Sequence, residues 1–177
     1  FQLILISIFF IIFMKVFVTG NLGYVGNVLT RMLLEKNFEV IGCDAGFYPQ
    51  GFLNQSEPKI IQIKKDIRNL TENDLKNVSA VCHLAALSND PLGEINPNLT
   101  EEINHTATVK LAKLAKNAGV EKFIFSSSCS SYGVNDEIVN EDSKLSPLTA
   151  YAKSKVNSEI KISELSGNNF CTTNLRS

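Results

Sequence analysis

The sequence predicts an α/β domain built on a doubly wound parallel sheet, and three observations predict it. Apolar, β-branched runs alternate with stretches of helical period along most of the chain, the pattern of successive βαβ units. A glycine-rich turn, Thr19-Gly20-Asn21-Leu22-Gly23-Tyr24-Val25-Gly26, follows the first such run at once and opens a helix. The chain has 177 residues, 44% of them apolar, enough for one core and too few for several.

The elements follow in order. Met14 enters the strand Lys15-Val16-Phe17-Val18-Thr19, so the first strand covers about 15–19 and the first helix about 23–36. A second strand is predicted at 38–43 and a third at 59–63. The intervening 45–58 is a loop, with Gly46, Pro49, Gly51 and Pro58 as breakers. A short helix fits 71–77 and a fourth strand 79–84. A long helix fits 96–118, with Leu99, Ile103, Thr106, Val109 or Lys110, and Leu114 near one face and Gly119 as its C-terminal stop. Strands at 122–126 and 170–175 flank a helix at 149–166. There is no internal repeat and no interdomain linker. The apolar run Phe1–Phe13 falls short of the ~20 residues of a spanning helix, and Lys15 interrupts it. We therefore expect 1–13 to lie outside the domain, 14–177 to form it, and no membrane contact.

Composition excludes some classes. A net charge of −1 gives no reason to expect nucleic acid or an anionic surface as partner. The four cysteines (Cys43, Cys82, Cys129, Cys171) show no metal-ligand spacing, so no metal is expected. They read as buried free thiols of a reducing compartment, hence a cytoplasmic protein.

Chemistry is concentrated at four places. Gly20, Gly23 and Gly26 let a backbone turn tightly and approach a pyrophosphate, whose charge then meets the N-terminus of a helix. Asp44, at the end of the second strand, can accept hydrogen bonds from an adenosine ribose and repel a 2′-phosphate, favouring NAD over NADP. Ser126-Ser127-Ser128 ends the fifth strand, at the sheet edge where open α/β folds bind ligands. Tyr151 and Lys155 stand at i and i+4 of a helix, on one face. A phenol beside a cation and an oxidised nicotinamide ring can have its pKa lowered from about 10 toward neutrality and serve as a base. His83, at a strand end, reads as structural.

Taken together these residues resemble the extended short-chain dehydrogenase/reductase family, the NAD-dependent nucleotide-sugar epimerases and dehydratases of UDP-glucose 4-epimerase-like type. The marks are Val18-Thr19-Gly20-x-x-Gly23-x-x-Gly26, Asp66-Ile67, His83-Leu84-Ala85-Ala86, Asn104, Ser126-Ser127-Ser128 and Tyr151-x-x-x-Lys155. The resemblance implies a Rossmann-type sheet holding NAD, with Tyr24 and Val25 at the pyrophosphate and Asp66 and Ile67 beside the adenine. It places Leu84, Ala85, Ala86, Leu87 and Ser88 at the cofactor ribose, with Asn104 nearby. Ser128 matches the catalytic serine, with Ser127 as the fallback one residue away. Tyr151 matches the base, and Lys155 the residue that binds the nicotinamide ribose and lowers the tyrosine pKa. Dehydratases and decarboxylases of the family carry carboxylates just after the catalytic Ser or Thr; here Cys129 and Ser130 stand there, as small residues do in epimerases. The resemblance thus implies a nucleotide-sugar epimerase, with a dehydrogenase, reductase or dehydratase of the same fold as alternative and a non-catalytic NAD sensor behind them. It also implies a homodimer through the helices at 96–118 and 149–166. Finally, it implies that a C-terminal substrate region lies beyond this sequence.

Overall fold

The computed structural model describes residues 14–47 and 58–177. The apolar run 1–13 and most of the expected loop at 45–58 lie outside the described residues.

Among the described residues, a sheet of six parallel strands has the order β3-β2-β1-β4-β5-β6. The strands are β1 (Lys15–Thr19), β2 (Glu39–Asp44), β3 (Ile61–Lys64), β4 (Ala80–His83), β5 (Lys122–Ser127) and β6 (Cys171–Arg176). All six expected strands form, and the Rossmann-type reading is correct. Side chains on one strand alternate between faces, so β1 serves two cores at once. Val16 and Val18 pack with Val40, Ala80 and the helix residues Leu29, Leu33 and Leu34. Phe17 points the other way, into a larger core with Val81, Phe123, Phe125, Leu111 and Ile162. Burial on both faces is why β1 and β5 read as nearly continuous apolar runs.

The helices are α1 (Tyr24–Glu35), α2 (Asp90–Ile95), α3 (Pro97–Glu101), α4 (Ala107–Asn117) and α5 (Ala150–Ser163). Two expectations are corrected here. The 71–77 helix is a single 3₁₀ turn, Glu72–Leu75, capped by Asp74, which accepts the Thr71 N–H at 2.8 Å. Asn77, at φ +59°, then turns the chain into β4. The helix expected over 96–118 begins with Pro97, behind Asn96, whose side chain accepts the Leu99 N–H at 3.1 Å. Between α3 and α4 it widens into a π-turn at Glu102–Thr106. The turn holds Asn104, whose side chain accepts the Leu87 N–H at 2.8 Å and donates to the Leu87 carbonyl at 3.0 Å. The Asn104 carbonyl accepts the Ser158 hydroxyl of α5 at 2.9 Å. Such bulges inside helices commonly mark functional positions. Gly119, at φ +81°, ends α4 as expected.

The cysteine reading is also corrected. All four thiols are free, but only Cys43 is buried; Cys129 and Cys171 are exposed. Among the described residues no helix is long and apolar enough to cross a membrane.

Candidate active site

The turn after β1 is shaped by what glycine lacks. Gly20 has φ +70°, and a Cβ there would meet the Ala85 backbone nitrogen at 2.8 Å. A Cβ on Gly26 would stand 2.1 Å from the Gly20 carbonyl oxygen, an overlap that no relaxation of side chains removes. Gly23 is the N-cap of α1 and brings no capping side chain, so the first N–H groups of the helix stay available to an anion. The carboxylate of Asp44 accepts the Leu22 N–H at 3.2 Å and the Gly46 N–H at 2.8 Å, which fixes it at the rim of the turn.

This turn forms the floor of a cleft of about 650 Å³ at the carboxyl ends of β1, β2 and β4. Its volume lies within the usual range for small-molecule and cofactor sites. The five turn residues singled out from the sequence (Gly20, Gly23, Tyr24, Val25 and Gly26) line it, as do Asp44, Asp66, Ile67 and the Leu84–Ser88 segment. Arg68 donates to the Asp66 carboxylate at 2.7 Å and holds it well below the usual carboxylate range. Phe47, Lys65 and Leu92, which the sequence had not marked, also line the cleft, as does Ile103, which it had placed only on a helix face. Glycines without room for Cβ, uncapped helix amides and an oriented carboxylate together fit a dinucleotide. Asn104 is not in the lining: both ends of its side chain are committed to Leu87, so it shapes the cleft wall from behind.

Ser128, Tyr151 and Lys155 gather beside that cleft, where β5 ends and α5 begins. Gly93 of α2 joins the two regions, since a Cβ there would lie 2.9 Å from the Cβ of Tyr151. The start of α5 is capped twice: the Thr149 hydroxyl accepts the Ala152 N–H at 3.0 Å, and Glu94 accepts the Ala150 N–H at 2.6 Å. The Ser127 hydroxyl is bound to Glu159, leaving Ser128 as the serine that faces the phenol.

The electrostatics correct one expectation. Lys155 was expected to lower the pKa of Tyr151. Instead the amine is buried, donates to the Ser126 carbonyl at 2.7 Å, and lies 5.6 Å from the centre of the Tyr151 ring. Burial pushes Lys155 itself down to about 8, with Glu159 pulling the other way. Burial raises the Tyr151 phenol above its ordinary value; the Ser128 hydroxyl opposes the rise, while Asp90 and Cys129 add to it. The protein by itself therefore holds the phenol protonated at neutral pH, and Ser128 is the group that favours its ionisation.

His83 is structural, as read. It is fully buried, shares a 2.6 Å hydrogen bond through Nδ1 with the Thr19 hydroxyl, and another of 2.7 Å through Nε2 with Thr108. Thr19 Oγ1 also accepts the N–H groups of Leu84 and Ala85 at 3.2 Å, so it ties the glycine turn to the β4 loop. Burial, and then the charge of Lys155, pushes His83 down to about 3 from 6.5. Between those values an unfolded chain binds a proton that the folded chain refuses. Stability is therefore expected to fall on acidification, by up to about 1.4 kcal/mol per pH unit from this residue. Urea unfolding at pH 6.5 and 5 measures the slope, and His83→Gln should flatten it.

The sequence reading missed Asp90, Glu94, Glu159 and Arg176. Asn89-Asp90-Pro91 is a helix-start signature, a cap followed by an early proline, and could have revealed α2 and its acids. Nothing local announces the Glu159–Arg176 contact, which joins α5 to β6.

Comparison with known proteins agrees with this geometry. The model of the NAD dependent epimerase/dehydratase family matches residues 16–177. A UDP-glucose 4-epimerase of Lactobacillus helveticus is 30% identical over 148 residues, which cover 81% of this chain and 44% of that protein. The solved UDP-N-acetylglucosamine 4-epimerase from Methanobrevibacter ruminantium M1, in complex with UDP-N-acetylmuramic acid, is similar with a TM-score of 0.84 at 28% identity. The likeness covers 92% of this chain and 54% of that one. MoeE5 in complex with UDP-glucose and NAD gives a TM-score of 0.80 at 29% identity, over 92% of this chain and 53% of that one. The chain thus spans about half the length of the relatives it matches.

Proposed function

The chain belongs to the NAD dependent epimerase/dehydratase family, and from that premise we propose that the protein is an NAD-dependent epimerase of a nucleotide-sugar. NAD, when bound, supplies the acceptor and later the donor of a hydride. The chain's own part is to bind, orient and move a proton. The amides at the start of α1 and the glycine turn take the diphosphate, and Asp44 takes the adenosine ribose and selects against a 2′-phosphate. Asp66 and Ile67 flank the adenine, and Leu84–Ser88 border the inner ribose. Lys155 binds the nicotinamide ribose from α5. In its ionised form, its own proton having passed to solvent, the Tyr151 oxygen takes the proton of a sugar hydroxyl, and the Ser128 hydroxyl hydrogen-bonds the same oxygen.

The observation that carries this reading is the convergence of Ser128 and Tyr151 beside the glycine-lined cleft, with Cys129 and Ser130 where an eliminating relative would carry carboxylates. We propose further that residues 14–177 make the cofactor half of a cytoplasmic homodimer. The residues that choose the sugar would then lie in the portion of the relatives that this chain does not span.

The test is incubation of the full-length protein and NAD with UDP-hexoses, followed by sugar analysis and NADH absorbance. Epimerised sugar without net NADH is the expected result. Accumulating NADH would make the protein a dehydrogenase, a dehydrated keto-sugar would make it a dehydratase, and NAD binding with no conversion would make it a sensor.

A further inference from the structure

We propose that Asp90 is a positioning residue for Ser128 and Tyr151, clamping the segment after β5 to the start of α5. The inference rests on the roles proposed above for those two side chains. Asp90 opens α2, and its two carboxylate oxygens are used separately. One accepts the Ser130 hydroxyl at 3.1 Å; the other accepts the hydroxyl of Thr149. Each partner lies two residues from a reacting group. The Ser130 N–H donates to the Ser128 oxygen at 3.2 Å, so a fixed Ser130 aims the Ser128 hydroxyl. Thr149 is the N-cap that sets the first turn of α5, where Tyr151 stands. One side chain thereby fixes the distance between two elements that are remote in sequence.

The packing around the clamp leaves it little freedom. Gly93 brings the α2 backbone against Tyr151 with no space for a side chain, and Glu94 binds the Ala150 N–H on the same helix end. The charged and titratable groups that bear on the phenol are Asp90 from α2 and Cys129 from the turn after β5, with the Lys155 amine of α5 5.6 Å from the ring centre. Asp90 is the acid whose charge reaches the phenol, and it opposes ionisation. A carboxylate here holds geometry and at the same time raises the pH at which Tyr151 ionises. An asparagine could keep part of the hydrogen bonding but not the charge.

The test compares full-length wild type, Asp90→Asn, Asp90→Glu and Tyr151→Phe, all with NAD bound. Asp90→Asn is expected to lower kcat by about tenfold with KM little changed, since a small misplacement of reacting groups is costly. It is also expected to move the rising limb of kcat to lower pH. Ultraviolet difference titration against Tyr151→Phe should show the Tyr151 ionisation moved the same way, independently of turnover. Asp90→Glu should recover most of the wild-type behaviour. If Tyr151→Phe is inactive while Asp90→Asn keeps the wild-type kcat and titration, the proposal is overturned and the role of Tyr151 stands. If Tyr151→Phe is fully active, the functional reading itself fails. Should Asp90→Asn not fold, Ser130→Ala removes one leg of the clamp; a kcat loss of a few fold supports the proposal, and an unchanged kcat overturns it.

Discussion

Replacing Tyr151 by phenylalanine is expected to reduce kcat of the full-length protein by about three orders of magnitude while NAD affinity changes by only a few fold. Tyr151 sits in the first turn of α5 with its backbone and Cβ close against Gly93, and phenylalanine preserves that contact. Only the phenolic oxygen is lost, and with it the proposed acceptor for the sugar proton. General acid–base groups contribute roughly 10²–10⁴ to turnover, so a thousandfold loss corresponds to about 4 kcal/mol of barrier. NAD affinity is protected because the cleft is lined by the glycine turn, Asp44, Asp66 and the Leu84–Ser88 segment, and Tyr151 is not part of that lining. The pH profile adds a second signature. Burial keeps the phenol protonated, so wild-type kcat should climb as pH rises toward the ionisation of Tyr151. The variant should lose that limb. A variant with kcat within tenfold of wild type would remove Tyr151 from the mechanism.

Much of this site was legible in the sequence because its signals are local. A glycine that must adopt φ > 0, or must let another backbone pass, leaves a mark at its own position, and the turn from Gly20 to Gly26 carries two such marks. The inner strands β1, β2 and β4 are mostly buried and largely apolar, while β3 and β6 at the sheet edges are exposed and mixed, and all six were found within two residues of their bounds. The misses were contacts between distant segments. Pro91 and Gly93 were passed over in the sequence; Pro91 sits in the first turn of α2, where a proline loses no helical hydrogen bond, and Gly93 lets α5 approach. The π-turn at Glu102–Thr106 depends on Leu87 and Ser158, neither of which a helical period can see. The i, i+4 spacing correctly placed Tyr151 and Lys155 on one face. It could not show that the Ser126 carbonyl would claim the amine, leaving Ser128 to act on the phenol.

The largest stability effect should come from a pair that no motif announced. Arg176 of β6 donates to both oxygens of Glu159, at 2.7 and 3.1 Å, while the Ser127 hydroxyl binds the same carboxylate. Its other nitrogen reaches the Tyr132 hydroxyl at 3.0 Å and the Glu141 carbonyl at 3.2 Å. Glu159 is 4% exposed, so the guanidinium is what makes its charge tolerable inside the protein. Arg176→Met keeps the aliphatic bulk and strips the partner, and breaking a buried pair in this way typically costs about 3–5 kcal/mol. Urea unfolding should show a loss of that size, with Glu159→Gln in the same chain restoring much of it, because two neutral side chains no longer strand a charge. The sign of that second change separates two accounts of the pair. Recovery would mean the network exists to neutralise Glu159. A further loss would mean that the four-way geometry around Arg176 stabilises the sheet end directly, and with it the strand end that presents Ser128.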